Sequence, residues 1–285
     1  MDLLVFLAML AATPDKAPPS ENAVVTQPVI NMYSRATTDA DVVSQAIFST
    51  NVVILERDSA WLKIRTPDDY TGWVQSAGLV KEPAYAQSGS VARVVALFAS
   101  VYRENNITKH QPIVTVPFDS RFEVLHEPQD PERRWVEVRL PDGASGWVQS
   151  GDVSLAPESP MTIPELIEWS KRFIGLPYLW GGTSTYGYDC SGFMQALYRR
   201  LGYSLPRDAG PQADWPGLKP VDKTDLAPGD LLYFGSSPDK ITHTGMYIGN
   251  GQFINATAYL QPIVQICNLG DEHWTQLLVA QRRLK

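Results

Sequence analysis

Basic charge is scarce in this chain. Its 24 Lys and Arg residues face 31 Asp and Glu, a net charge of −7. That balance argues against a protein that grips nucleic acid through its phosphates. The doublets Arg133-Arg134, Arg199-Arg200 and Arg282-Arg283 read as solvated faces. Cysteine is scarcer still. Cys190 and Cys267 are the two in 285 residues, too few for a disulfide framework. No CxxC, HExxH or paired-His spacing occurs, so no metal and no other cofactor is expected. The apolar run Leu3 to Ala12 is too short to cross a membrane as a helix. It has the length of a signal-peptide core and precedes small residues and a Pro-rich spacer. Asp2 stands where a basic flank belongs. The run leans toward export (periplasm or cell envelope) rather than the cytoplasm.

What is present is a normal core fraction, 44% hydrophobic, and length enough for two or three domains. Two segments repeat. Trp61 to Ser76 aligns with Trp135 to Ser150, and each Trp pair (Trp61 and Trp73, Trp135 and Trp147) is twelve residues apart. Each copy reads as strand, tight Pro-Asp turn, strand. Phe48 to Leu55 and Phe118 to Leu125 supply a further strand upstream of each. Two copies are too few for a solenoid, so the reading is two small β-barrels in tandem. The four Trp residues are assigned to core and hairpin packing. The repeat breaks at one place. Asp69-Tyr70 replaces the ordinary turn residues Gly143-Ala144, which puts an aromatic on a turn tip and marks Tyr70 as a contact residue.

After Pro157 the pattern changes. Thr162-Ile-Pro-Glu165 is a capping box, and the helix it opens runs to Ile174, before Gly175 and Pro177. A second helix starts at Cys190, with Phe193, Leu197 and Leu201 at helical spacing, and ends near Gly202. Strands follow at Asp230–Phe234, His243–Ile248, Gln252–Ala256 and Gln276–Ala280, with Gly249-Asn-Gly251 as a hairpin turn. Helices followed by an antiparallel sheet give an α+β domain.

Cys190 sits in the first turn of its helix, where free N–H groups and the helix dipole favour a thiolate. The competing reading is a buried structural cysteine, and Cys267 fits that reading. His243 opens a strand with Gly245 leaving space beside it. Asn255 lies on the paired strand, where its amide oxygen can accept the imidazole N–H. A helix N-terminal Cys facing a strand His is a papain-like layout, in which an ion pair would hold the thiolate.

These pieces resemble the NlpC-type cysteine peptidases of bacterial cell-wall metabolism. The resemblance rests on Tyr178-Leu-Trp180-Gly-Gly, Asp189-Cys190-Ser191-Gly192, Leu205-Pro-Arg207-Asp208, Leu226-Ala-Pro-Gly-Asp230, His243-Thr-Gly-Met-Tyr-Ile-Gly and Phe253-Ile-Asn255-Ala. The repeats, residues 27 to 157, resemble bacterial SH3-like domains. The implied division is a leader at 1–26, SH3-like domains at 27–82 and 88–157 joined by a linker at Lys81 to Gly89, and an NlpC-type peptidase at 158–285. The resemblance implies Cys190 as nucleophile, His243 as general base and acid, and Asn255 in the orienting place most often held by His. A Ser common after the Arg-Asp pair is Ala209 here.

The architecture is similar to that of γ-D-glutamyl-diamino-acid endopeptidases that cleave murein peptides with a free N-terminal L-Ala. By that likeness Tyr70 closes the substrate pocket, and Asp189 holds the substrate amine and is neutralised by it. Tyr178, Trp180, Ser191 and Asp208 line the pocket. The expected partner is a murein peptide met by a monomer. A broad hydrolase of intact murein and a non-catalytic wall-binding protein are the alternatives. The diamino acid, diaminopimelate or lysine, stays open.

Overall fold

A computed structural model describes residues 21–285 except Pro83, 128–133 and Glu158. The expected leader run Leu3 to Ala12 lies outside the described residues. The two repeats fold alike. The first comprises β1 (Glu21–Val25), β2 (Val29–Tyr33), β3 (Val42–Ile47), β4 (Asn51–Asp58), β5 (Trp61–Arg65), β6 (Thr71–Gln75) and β7 (Leu79–Val80). The second comprises β8 (Val91–Val94), β9 (Phe98–Tyr102), β10 (Val114–Pro117), β11 (Arg121–His126), β12 (Trp135–Arg139), β13 (Ser145–Gln149) and β14 (Val153–Ser154). Strand order is β3-β2-β6-β5-β4-β1-β7 in one and β10-β9-β13-β12-β11-β8-β14 in the other, the same topology advanced by seven. Strand β1, which precedes residue 27, is part of the first barrel's sheet, because it pairs with both β4 and β7.

Period-two alternation explains the cores. Leu62, Ile64 and Val74 point into the first barrel, and Val136, Val138 and Val148 into the second. Trp61 packs edge-on against Tyr33, and Trp135 does the same against Tyr102. The glycine of each Gly-Trp pair also has a reason. A Cβ on Gly146 would stand 2.5 Å from Val101, and one on Gly72 would stand 2.9 Å from Met32.

The expected linker is a packed joint. Tyr85 is fully buried with Val24 and Ala86. Asn51 bonds both its N–H and its C=O at 2.9 Å. The Tyr85 hydroxyl donates to the Arg139 carbonyl of the second barrel. A polar-looking stretch thus carries one aromatic anchor that fixes barrel to barrel.

The third domain opens with α1 (Ile163–Ser170), where the Thr162 N–H donates to Glu165 at 2.8 Å. Its last turn tightens to a 3-10 turn at Lys171–Phe173, so the α-helix is shorter than the sequence suggests. A small ribbon, β15 (Thr183–Ser184) with β16 (Gly187–Tyr188), leads into α2 (Cys190–Arg199). Next come α3 (Ala209–Ala213), β17 (Leu218–Pro220), β18 (Leu231–Ser237), β19 (Lys240–Gly249), β20 (Gln252–Thr257), β21 (Ile263–Asn268), α4 (Glu272–Leu277) and β22 (Leu278–Leu284). The sheet order is β17-β22-β18-β19-β20-β21. The strand expected at Gln276–Ala280 is half helix: α4 ends at Leu277 and the strand runs from Leu278. Gly249, Asn250 and Gly251 all have positive φ, as the hairpin turn requires. Helix α2 is buried from Cys190 to Tyr198 and packs on β19 and β20.

Candidate active site

Cys190 is the first residue of α2. Asp189 caps that helix, its Oδ1 accepting the Gly192 N–H at 2.7 Å. The sulfur faces β19. The ladder joining β19 to β20 runs from Met246 to Gly249 and stops short of His243. This leaves the Thr244 N–H free to bond the Cys190 sulfur, joined by the Ser191 N–H. The residue before Thr244 is His243, so the Cys190 thiol and the His243 backbone lie at one place in the fold.

The orientation of His243 follows from its partners. The ring lies against Trp274, centroids 5.1 Å apart and planes at 27°, with Phe234 at 5.6 Å. Nε2 is 2.9 Å from Asn255 Oδ1. An amide oxygen only accepts, so Nε2 carries the proton and Nδ1 keeps its lone pair. The fully buried Asn255 is held the right way round because its Nδ2 donates to the Gln265 carbonyl at 3.3 Å. Gly245 lets it stand there: a Cβ would come 3.0 Å from Asn255 Cβ and 2.8 Å from Phe253.

Charge in this site departs from the ion pair expected above. Burial pushes the Cys190 thiol up to about 12, and Asp189 adds to the rise against the opposing Thr244 and Ser191 N–H groups and Arg207. Burial pulls His243 down to about 4, Asn255 opposes, and His273 lowers it further. Both shifts favour the uncharged forms, a thiol and a neutral imidazole. The helix N-terminus does not overcome desolvation of a cysteine that is 7% exposed.

Asp189 has a partner in the folded chain. The buried Arg207 neutralises it through Nη1 to Oδ1 at 3.0 Å and Nη2 to Oδ2 at 2.5 Å. Oδ1 also accepts from Gly192 N and, at 3.3 Å, from Ser191 Oγ. Arg207 Nη1 reaches Ser191 Oγ at 3.0 Å, and its Nε reaches Ser44 Oγ of the first barrel at 2.9 Å. Oδ2 accepts from Arg207 and keeps a lone pair for a further donor. Asp208 is freer. Burial raises its pKa, and the Tyr70 hydroxyl donates to its Oδ2 at 3.2 Å. The first barrel is pinned here a second time, since Gln195 donates to Asp68 at 3.0 Å.

Of the residues singled out by sequence, the structure gathers Cys190, His243, Asn255, Tyr70, Asp189, Ser191 and Asp208. Tyr178 joins them through its electrostatic reach to Cys190 and Asp189, with burial raising its pKa to about 12. Trp180 stands 70% exposed, next to Gly181 at φ +74°. Arg207, Trp274, Ser44 and Asp68 were missed as site residues. Arg207 stood in a matched motif, but a sequence does not show that an arginine is buried.

Comparison with known proteins identifies each of the three domains. Residues 175–283 match the NlpC/P60 family, 28–81 the Bacterial SH3 domain and 84–154 the GW (Gly-Tryp) dipeptide domain. A gamma-D-glutamyl-L-lysine dipeptidyl-peptidase of Bacillus cereus is 31% identical over 228 residues, 75% of this chain and 66% of the relative. One of the same name from Bacillus subtilis is 30% identical over 257 residues, 86% of this chain and 82% of the relative. The crystal structure of an NlpC/P60 family protein from Bacillus cereus superposes with a TM-score of 0.80 at 25% identity, covering 93% of this chain and 99% of that one. With the nucleophile helix, the imidazole strand and both barrels in the arrangement just described, the chain belongs to the NlpC/P60 family of cysteine peptidases.

Proposed function

We propose that the enzyme hydrolyses the γ-D-glutamyl-diamino acid bond of murein peptides that begin with a free L-Ala, releasing L-Ala-D-Glu. The observation that carries this reading is the Tyr70–Asp208 contact, which joins a side chain of the first barrel to the residue next to Arg207, the partner of Asp189 beside Cys190. Asp208 offers a carboxylate to an ammonium group. The Tyr70 hydroxyl donates to Asp208 and keeps its lone pairs for an ammonium N–H. A peptide still attached to glycan has an amide there, without the charge and with added bulk. The names of the two Bacillus relatives support the same bond.

The steps follow from the neutral pair. His243 Nδ1 takes the Cys190 proton as the sulfur attacks the γ-carbonyl carbon, and the imidazolium is stabilised through Nε2–H to Asn255. The backbone N–H of Cys190 at the helix start is the candidate donor to the developing oxyanion. The tetrahedral intermediate collapses, the C–N bond breaks, and His243 gives its proton to the leaving amine. Water, deprotonated by His243, then attacks the thioester and restores the Cys190 thiol.

The test is incubation with L-Ala-γ-D-Glu-diaminopimelate and the matching lysine peptide, each with a free or an acetylated amine, followed by mass spectrometry. Release of L-Ala-D-Glu from free-amine peptides alone is expected. Cleavage of acetylated peptides equally well would keep the peptidase and overturn the amine pocket. Cleavage of none by reduced, folded protein would favour the wall-binding alternative. Tyr70→Phe should raise KM for the free-amine peptide about 10-fold with kcat little changed, the cost of one hydrogen bond to a charged group. Steady-state kinetics with an unchanged KM would remove Tyr70 from the pocket.

A further inference from the structure

Cys267 looks inert in the sequence, but its place in the sheet gives it a partner in the site. In the β20–β21 ladder Asn255 pairs with Gln265 and Phe253 with Cys267, so Asn255 and Cys267 are diagonal neighbours on one face. Asn255 Nδ2 donates to Cys267 Sγ at 3.4 Å, besides its bond to the Gln265 carbonyl. Trp274 completes the contact. Cys267 packs in the same buried cluster as Trp274, whose ring lies against His243. Burial keeps the Cys267 thiol above its ordinary value, so this acceptor is a neutral thiol at pH 7.

We infer that Cys267 is a positioning residue: its sulfur accepts from Asn255 and packs in the cluster of Trp274, so the amide oxygen and the indole face that hold His243 are braced together. The role rests on the proposed roles of His243 and Asn255. It touches no substrate and acts through Asn255. It also gives a reason why an amide suffices where the family most often has His. The two N–H bonds of Asn255 Nδ2 fix which end of the amide meets the imidazole, and the Gln265 carbonyl supplies one of them.

The experiment must not depend on which peptide is cleaved. In protein labelled with 15N-histidine, the His243 Nε2–H should give a protected proton signal, assigned by its loss in His243→Gln. We expect solvent exchange of that proton to quicken about 3- to 10-fold in Cys267→Ala and to return within about 2-fold of wild type in Cys267→Ser, whose hydroxyl can accept the same bond. With a cleaved peptide in hand, kcat should fall by a similar factor in Cys267→Ala at constant KM. Unchanged exchange in Cys267→Ala, or no protected Nε2–H in wild type, overturns the inference. Failure of the proposed substrate to react would show only in the peptide assay and leaves the exchange result standing.

Discussion

Arg207→Met should destabilise the catalytic domain by about 3–5 kcal/mol, the usual effect of removing one partner of a buried ion pair. Arg207 is 3% exposed and Asp189 7% exposed, and the guanidinium spans the carboxylate with two nitrogens. Methionine fills much of the volume but leaves Asp189 as a buried charge next to the nucleophile. It also releases Ser191 and cuts the bond to Ser44, loosening the first barrel at the site wall. Turnover should fall with stability, because Asp189 caps the helix that carries Cys190. The companion Asp189→Asn/Arg207→Met removes the stranded charge while asparagine keeps the cap. It should be more stable than Arg207→Met alone. Urea unfolding of wild type, single and double variants decides the point. A single variant within about 1 kcal/mol of wild type would mean that the pair is solvated and that its charge is not what holds the nucleophile turn.

Lowering pH from 6.5 to 4 should remove stability on the order of 3 kcal/mol through His243 alone. Its imidazole is pulled from an ordinary 6.5 to about 4 in the folded chain. Above pH 6.5 both states are neutral there, and the group adds no pH dependence. Between the two values only the unfolded state binds the proton, so stability falls as pH falls. Below about 4 both states are protonated and this contribution stops changing. His243→Gln should flatten that limb of the stability–pH curve. The acid limb of kcat/KM should likewise fall well below pH 6.5, since the free enzyme keeps its base unprotonated. An acid limb near 6.5, with equal pH dependence of stability in wild type and His243→Gln, would show an exposed, ordinary imidazole.

The barrels and the helix that Cys190 opens were legible because both write local patterns. Paired Trp residues twelve apart, Pro-Asp turns and period-two alternation lie within short windows, as do the Asp-Cys-Ser-Gly turn and the helical spacing after it. Tyr70 was legible for a different reason: one copy of a repeat was a control for the other. The strand-paired Asn255 could be read from its place just past a Gly-Asn-Gly turn. What stayed hidden depends on burial and on partners far along the chain. Asp189 showed its charge but not Arg207 clamped on it, 18 residues later. Desolvation of Cys190 outweighs the helix-end effect that the local pattern advertises. Tyr85 sat in an apparent linker because one buried aromatic leaves no periodicity, and Cys267 read as core because its partner Trp274 lies beyond the strand.

The order of the catalytic sheet has a consequence for the newly made chain. Strand β22 (Leu278–Leu284) lies between β17 and β18, and β18 is the immediate neighbour of the strand that carries His243. Cys190, His243 and Asn255 are therefore all synthesised before the strand that seals one edge of their sheet. A chain without β22 would hold Cys190, His243 and Asn255 beside an open β18 edge.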